Sequence, residues 1–383
     1  MTDDPPPNPA LLPSGLRDLL PPEAETEAAA VEAMMDTFAA HGYQRVKPPL
    51  LEFEDSLLAG SGSAMGDQTF RLMDPDTRRM MGLRADMTPQ VARIATTRLV
   101  RASRPLRLSY AGQCLRVYGN QLDPDRQLAQ AGIELIGHDS PDADAEIVLV
   151  AAEALALLGL TRLSIDLTMP PLVPTLLDEA GTTQEARARL ARALDRKDAA
   201  AVAERGGPLA ATLTDLLLSA GAADRALAAL DAAALTPGAR VLADRLKDSV
   251  AAIRARAPGL KLTVDPVEFR GLRYHTGVCM TVYAPGRHEE LGRGGRYVCG
   301  DTEPATGITL YPDAVLRAAP PRQAKTRVYL PAGADHARAA ALRAEGYATV
   351  AALDPVPDAC AEARRLSCTH LLSGDALVAV KSE

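Results

Sequence analysis

Met80-Met81-Gly82-Leu83-Arg84-Ala85-Asp86-Met87-Thr88, running on to Leu99, joins a short apolar run to a longer one of a different period. Its first four residues are apolar or glycine and read as a short strand, and from Thr88 to Leu99 the spacing predicts a helix. A charged cluster, Arg84-Ala85-Asp86, sits at the join. Strand-like segments recur on either side, at residues 69–73, 107–110 and 133–136, separated by turns. Short strands mixed with a helix in this order predict an α+β fold around an antiparallel sheet.

Upstream, Val31, Met34, Met35 and Phe38 form an i, i+3, i+4, i+7 stripe ending near Gly42, an amphipathic helix with a glycine stop. Residues 43–46 run into Pro48 and Pro49 and read as a strand bounded at its edge, because proline cannot donate to a ladder. Gly60, Gly62 and Gly66 mark a mobile loop; their spacing does not make a phosphate cradle. Downstream, a helix over about 144–158 gives way at Gly159 to Leu163, Ile165 and Leu167, which alternate with polar residues at the period of a half-buried strand. Residues 171–257 are rich in Ala, Leu and Arg at helical spacing and predict an all-helical insertion. Strand patterns return at 262–264, 277–283 and 307–310. Beyond a boundary at Pro320-Pro321-Arg322, strands at 328–330, 349–351 and near Leu371 and Val378 alternate with helices over 334–345 and 357–366. The expected organisation is a core of residues 1–170 and 258–320, a helical insertion of 171–257, and a small C-terminal α/β domain of 322–383.

A chain of 383 residues has room for two or three folding units. Hydrophobic residues at 47% with charged residues at 24% suit a soluble globular protein and exclude wholesale disorder. With 4 Phe, 9 Tyr and no Trp there is little surface for stacking bases, and a net charge of −7 repels a phosphate backbone, so nucleic acid is not an expected partner. Cys114, Cys279, Cys299, Cys360 and Cys368 form an odd set with no CxxC, which points away from a disulfide framework or zinc ribbon and suits a reducing cytoplasm. Residues 1–9 carry Asp and Pro where a signal peptide needs a basic start and an apolar run, and no stretch approaches about 18 uninterrupted apolar residues. Neither export nor membrane insertion is expected.

The chain has no GxxxxGK[ST], HExxH or GxSxG, and no paired-acid loop after an apolar strand of the kind that holds a ribose pyrophosphate and its magnesium. No cofactor and no metal ligand set is therefore expected. Polar residues gather instead in four places: Arg84-Ala85-Asp86-Met87-Thr88; Arg116 with Gln130 and Glu134; Arg270-Gly271-Leu272-Arg273-Tyr274-His275-Thr276-Gly277; and Gly294-Gly295-Arg296-Tyr297. In this order they resemble the histidyl-tRNA synthetase catalytic domain, a class II aminoacyl-tRNA synthetase-like antiparallel sheet flanked by helices, over roughly residues 14–317 outside the insertion. Leu16-Arg17-Asp18-Leu19-Leu20-Pro21 is similar to that family's N-terminal segment, and residues 42–52 to the dimer-forming class II motif 1. The resemblance implies a pocket for a histidine-like ligand. Asp86 and Thr88 would face its ammonium, Gln130 and Glu134 would come from the motif 2 strand with Arg116 ahead of them, and Arg270, Tyr274, His275 and Tyr297 would complete it. Carboxylates pair with an ammonium, an arginine with a carboxylate, and tyrosines and a glutamate with an imidazole.

The departures from the synthetase pattern are as informative. Where motif 2 should carry a glutamate and a second arginine stand Tyr118 and Pro124, and where motif 3 should end in Glu-Arg stands Tyr311-Pro312-Asp313-Ala314. A planar cation against adenine and phosphate has no replacement in alanine or proline, and losing preorganised electrostatics costs about 3–4 kcal/mol per group. The 62 residues from Arg322 onward are short for an anticodon-binding domain and hold no basic cluster. Such a core resembles the regulatory subunits of ATP phosphoribosyltransferase, paralogues of the synthetase that work in histidine biosynthesis. That resemblance implies a homodimer with no catalytic residue of its own, assembled with a short-form ATP phosphoribosyltransferase catalytic subunit into a hetero-octamer, activating it and contributing to histidine feedback inhibition. The alternatives are a divergent histidyl-tRNA synthetase-like aminoacyl ligase and a stand-alone amino-acid sensor.

Blander readings exist for several of these residues. Gln130 and Glu134 alone could face outward from a sheet, and His275 could pack as readily as line a pocket. Arg187, Arg189, Arg192 and Arg196 read as a solvated helix face, His41 as a helix-end residue, and His138 and His370 as structural. The Gly294-Gly295 pair fits a tight turn or a close ligand approach.

Overall fold

The computed structural model describes residues 11–119, 124–268 and 275–381. Residues up to Pro320 form one compact unit and those from Pro321 a second.

The first unit begins with α1 (Glu23–Ala40), which buries Met34, Met35 and Phe38 and stops at Gly42 in the left-handed region, φ 82°. β1 (Gln44–Arg45) follows. Next come β2 (Leu51–Phe53), the single turn α2 (Glu54–Leu57), β3 (Arg71–Met73) and β4 (Met80–Leu83), and the three strands form a small sheet in the order β2-β4-β3. Between them, Gly60–Gln68 is a run of 3-10 turns, not the mobile loop its glycines suggested. The reason is local: a Cβ at Gly62 would lie 2.0 Å from the Leu57 carbonyl, so glycine here permits close packing. Hydroxyls of Ser63 and Thr69 donate to the carbonyls of Gly60 and Met65 at 2.9 and 2.8 Å and hold the turns.

α3 (Thr88–Thr97) starts with proline in its first turn and buries Val91, Ala92 and Ala95. It leads into the long hairpin β5 (Leu106–Leu115) and β6 (Gln127–Ile136), each of 10 residues and far longer than its strand-like signal. α4 (Pro141–Leu157) is capped by Ser140, whose hydroxyl accepts from the Ala143 N–H at 3.2 Å, and so starts ahead of the expected 144. β7 (Ser164–Thr168) buries every second residue, as the alternation predicts.

The segment 171–257 then supplies α5 (Leu172–Glu179), α6 (Gln184–Asp195), α7 (Ala199–Arg205), α8 (Ala210–Ser219), β8 (Gly221–Ala222), α9 (Ala223–Ala232) and α10 (Pro237–Arg256). It is helical except for β8, which caps the sheet edge by pairing antiparallel with β9 (Lys261–Asp265). β10 (His275–Tyr283), β11 (Glu290–Cys299) and β12 (Glu303–Leu310) finish the sheet, followed by α11 (Pro312–Ala318). Gly294 and Gly295 therefore lie inside a central strand, and the tight-turn reading of that pair is corrected. A Cβ on Gly294 would come within 2.0 Å of the Gly307 carbonyl on β12, so strand contact is what requires glycine there.

The main sheet has nine strands in the order β1-β5-β6-β12-β11-β10-β7-β9-β8, antiparallel except where β1 meets β5 and β7 meets β9. Alternate residues serve its two faces. Ile133, Leu135, Val278, Met280 and Ile308 join α1, α4 and the helices of 171–257 in one large core. Leu108, Tyr110, Ile136 and Tyr297 pack with Met87 and with Val91 of α3 on the opposite face.

In the second unit, β13 (Arg327–Leu330), α12 (His336–Ala344), β14 (Ala348–Ala351), α13 (Ala359–Arg365), β15 (His370–Ser373) and β16 (Ala376–Ala379) build a four-stranded sheet in the order β14-β13-β15-β16. Asp335 and Asp358 cap the two helices, each accepting two backbone N–H groups. Val328 and Leu330 pack toward α12, and Tyr329 toward α13.

Candidate functional site

The sheet face that carries α3 opens into a cleft of about 1290 Å³. Its floor is short of side chains because glycines recur on it. Register places Gly112 on β5 opposite Gln130 on β6, Gly132 opposite Tyr110, and Gly307 on β12 between Glu134 and Gly295 on β11. Each space is taken by a neighbour. A Cβ on Gly112 would lie 2.4 Å from the Arg84 guanidinium, on Gly132 2.4 Å from the Tyr110 hydroxyl, and on Gly307 only 1.8 Å from Oε2 of Glu134. Glycines thus let functional side chains lie flat across the strands.

Glu134 is the centre of the cleft's inner half. It is 1% exposed. Its Oε1 accepts from the hydroxyls of Thr88 at 2.9 Å and Tyr110 at 3.2 Å, and its Oε2 from the hydroxyl of Tyr297 at 2.9 Å. Thr88 and Tyr110 are themselves 3.1 Å apart, and Tyr110 reaches Thr309 on β12 at 2.7 Å. Burial pushes the Glu134 carboxyl up to about 8; the hydroxyls oppose the shift and the Asp86 charge adds to it. Burial also holds the Tyr110 and Tyr297 phenols well above their ordinary range. A carboxyl of this kind, ringed by hydroxyls, suits a ligand that both donates and accepts protons, as an imidazole does.

Around it, Gln130 is fixed by its carbonyl oxygen, which accepts from the Met87 N–H at 3.0 Å and the Cys114 thiol at 3.2 Å. Its amide nitrogen, a donor, is left for the cleft that it lines. Asp86 stands at the start of α3, its Oδ1 3.5 Å from the Thr88 N–H. Arg84, buried beneath, donates to the carbonyls of Gln113 at 2.7 Å and Pro48 at 3.2 Å and so ties the segment before α3 to β5 and to the loop that follows β1. Arg116 lies at the end of β5 with its Nε 3.5 Å from the Ala85 carbonyl. His275 opens β10; burial, with the nearby Arg293 charge, pushes its imidazole down to about 4.

The residues expected from sequence thus meet in one place: Asp86, Thr88, Arg116, Gln130, Glu134, His275 and Tyr297 all line this cleft. Arg270 and Tyr274 lie outside the described residues. The Thr88 hydroxyl is turned to Glu134 and Tyr110, while its backbone N–H lies toward Asp86. Sequence reasoning missed Tyr110, Arg293, Thr309 and Tyr311, which also border or support the site. Two-residue counting from Glu134 and Gln130 would have found their neighbours had the pairing of β5, β12 and β11 been known.

The outer half differs. Tyr118, Pro124, Asp313 and Ala314 line it. Asp313 accepts from the Ala129 N–H at 3.1 Å and lies 3.7 Å from Arg17 of the N-terminal segment. Arg17 also meets Glu23 at 2.8 Å and Asp125 at 3.6 Å. Arg317, one turn further along α11, is paired with Glu289.

Arg296 points away from the cleft. On the opposite face of β11 its Nε meets the fully buried Asp144 of α4 at 2.9 Å, and its Nη1 meets Asp139 at 2.5 Å. Ser249 of α10 donates to Asp144 at 2.8 Å, so one buried ion pair fastens two helices beneath the strand that bears Tyr297.

A mainly antiparallel sheet flanked by helices, with its cleft between a motif 2-like hairpin and a glycine-rich strand, is the class II aminoacyl-tRNA synthetase-like fold. Two solved structures share it: an ATP phosphoribosyltransferase regulatory subunit/histidyl-tRNA synthetase from Bacillus halodurans (TM-score 0.78, 24% identity, covering 94% of this chain and 97% of that one) and the histidyl-tRNA synthetase of Nostoc sp. PCC 7120 (TM-score 0.77, 16% identity, 94% and 90%). The histidyl-tRNA synthetase family model matches residues 15–315. Proteins named ATP phosphoribosyltransferase regulatory subunit are 54% identical in Paramagnetospirillum magneticum, over 98% of this chain and 99% of that protein, and 56% identical in Gluconobacter oxydans, over 95% and 96%. The chain belongs to the ATP phosphoribosyltransferase regulatory subunit family, a branch of the histidyl-tRNA synthetase family.

Proposed function

We propose that this chain is a non-catalytic regulatory subunit that binds and activates a short-form ATP phosphoribosyltransferase, the first enzyme of histidine biosynthesis, and carries histidine feedback inhibition to it. The names of its relatives support the partnership. The observation that carries the reading is the contrast within the cleft. The inner half holds a carboxyl on three hydroxyls, fit for an imidazole, whereas the outer half presents Asp313 and Ala314 from α11. An adenylate-forming enzyme needs positive charge where its phosphates react.

In this proposal histidine enters the inner half, with its imidazole between Glu134 and Tyr297 and its ammonium toward Asp86. The family resemblance adds Arg270 and Tyr274 to that pocket. The chain forms a homodimer within a cytoplasmic hetero-oligomer, a hetero-octamer by family resemblance, and the transferase chemistry proceeds on the partner. Histidine lowers activity by favouring one state of the assembly, which requires that it bind the two states unequally.

Reconstitution tests this directly. The pure chain added to a short-form catalytic subunit raises phosphoribosyl transfer, and histidine reverses the gain. Histidine-dependent ATP–pyrophosphate exchange by the pure chain would instead establish the aminoacyl-ligase alternative, and histidine binding without any effect on the transferase would leave a stand-alone sensor.

A further inference from the structure

The segment ahead of α1 turns back onto the rim of the cleft. The Leu16 N–H donates to the Pro13 carbonyl at 3.0 Å, closing a β-turn whose third residue, Gly15, stands at φ 76°, the left-handed value that a type II turn asks for there. The turn is seated on the hairpin arm that leads into β6. The Gly15 carbonyl accepts from the Arg126 N–H at 2.8 Å, and the Ser14 carbonyl from Nη1 of Arg126 at 3.2 Å. A Cβ on Gly15 would lie 2.6 Å from the Pro124 carbonyl oxygen and 2.8 Å from Cγ of Arg126. Glycine is therefore required here twice, by the backbone angle and by the closeness of the arm.

The arm needs a seat because the sheet does not reach it. The β5–β6 ladder ends at Leu115 and Gln127, and β12 pairs with β6 only from Ala131 onward. Past those limits the two arms form a two-stranded ribbon, which is marginal in water without a further partner. On the β5 side that partner is Gln68, whose carbonyl accepts from the Val117 N–H at 3.0 Å. On the β6 side it is the turn at residues 13–16. Arg126 joins the parts: its carbonyl accepts from the Arg116 N–H at 2.7 Å, its Nε donates to the Arg116 carbonyl at 3.3 Å, and its guanidinium lies 4.9 Å from the centre of the Phe70 ring. The backbone of Arg116, whose side chain lines the cleft, is thus fixed by the residue on which the turn sits. Arg17, next along the segment, stands 3.6 Å from Asp125 and 3.7 Å from Asp313, and Asp313 in turn holds the N–H of Ala129 beside Gln130.

We infer that residues 13–17 are a positioning element of the site: the docked turn holds Arg116 and the outer end of β6 where a ligand meets them, so that a docked turn and a filled cleft favour one another. The coupling to a ligand rests on the amino-acid reading of the cleft. Without the turn a ligand would have to order both arms as it binds, and its apparent affinity falls by the fraction of molecules in which they are ordered. None of residues 13–17 belongs to the buried cores on either face of the sheet, so undocking is a local event.

The test compares Gly15→Val, Arg17→Gln and Ser14→Ala in the full chain, by hydrogen–deuterium exchange with mass spectrometry and by titration with histidine. In wild-type protein histidine slows exchange over residues 11–19, none of which lines the cleft, a response that a merely structural brace would not give. Gly15→Val speeds exchange over residues 113–126 and weakens histidine by at least about fivefold, the lower end of a coupling between two sites. Arg17→Gln keeps the turn and weakens histidine by about two- to fivefold, as the loss of exposed ion pairs allows; it carries the test should Gly15→Val fold poorly, and an unchanged affinity there counts against the inference. Ser14→Ala removes a side chain that the docking does not use and changes neither reading. Unchanged histidine affinity in Gly15→Val, with or without faster exchange, overturns the inference while the amino-acid reading stands. Failure of the wild-type chain to bind histidine brings down the amino-acid reading and this coupling with it.

Discussion

Replacing Glu134 by Gln should stabilise the empty protein at neutral and alkaline pH. The carboxyl is buried and its pKa is raised from the ordinary 4.5 to about 8. Below about pH 4.5 it is protonated in both the folded and the unfolded chain and contributes nothing to pH dependence. As pH rises between the two values, the unfolded chain releases the proton while the folded chain keeps it, so stability falls. Each pH unit in that window costs about 1.4 kcal/mol, and the penalty reaches on the order of 5 kcal/mol by pH 8, above which it is constant. Gln keeps an acceptor for Thr88 and Tyr110 and has no proton to lose. Urea unfolding of both proteins without histidine, at pH 5, 6.5 and 8, measures the difference. The expected result is a stability gain for Glu134→Gln that grows by several kcal/mol from pH 5 to 8, together with loss of histidine binding. A difference between the two proteins that stays level across this range would mean that the buried carboxyl ionises as readily folded as unfolded, and the expectation would fail.

Further outcomes follow from the same structure. Gly307→Ala puts a Cβ where Glu134 Oε2 now lies, 1.8 Å away; titration should register at least about a tenfold loss of histidine affinity, with about 1–3 kcal/mol of overpacking in thermal melts. Arg296→Met leaves Asp144 a buried charge without its partner and should cost about 3–5 kcal/mol in urea unfolding; adding Asp144→Asn to the same chain should recover a large part of that loss, whereas additive losses would show that the pair is not coupled. Brief trypsin treatment should cut first at Arg322 or Lys325, exposed residues without regular structure at the start of the second compact unit, and mass spectrometry of the fragments reads the result.

Much of the site was legible because its residues lie in short runs with chemistry of their own. Asp86 and Thr88 flank a helix start, and Gln130 and Glu134 are spaced to share one face of a strand. Strand lengths were harder. β6 holds Ala129, Ala131 and Gly132, and β11 holds Gly292, Gly294 and Gly295, residues with little intrinsic strand preference that are kept extended by neighbours on both sides. Gly60, Gly62 and Gly66 mislead for the same reason: glycine marks either freedom or crowding, and only the Leu57 carbonyl against Gly62 tells which. Arg293 stayed hidden because its place on the cleft depends on strand register, which is a long-range fact. Asp144 and Arg296 are 152 positions apart in sequence, and nothing local pairs them.

The glycine-for-neighbour exchange on the cleft floor has a consequence for how such a pocket could change its ligand. Where one strand's missing side chain is another strand's working group, neither position can drift alone: enlarging Gly307 expels Glu134, and shrinking Glu134 opens a hole over Gly307. New recognition would have to arrive through concerted pairs of substitutions.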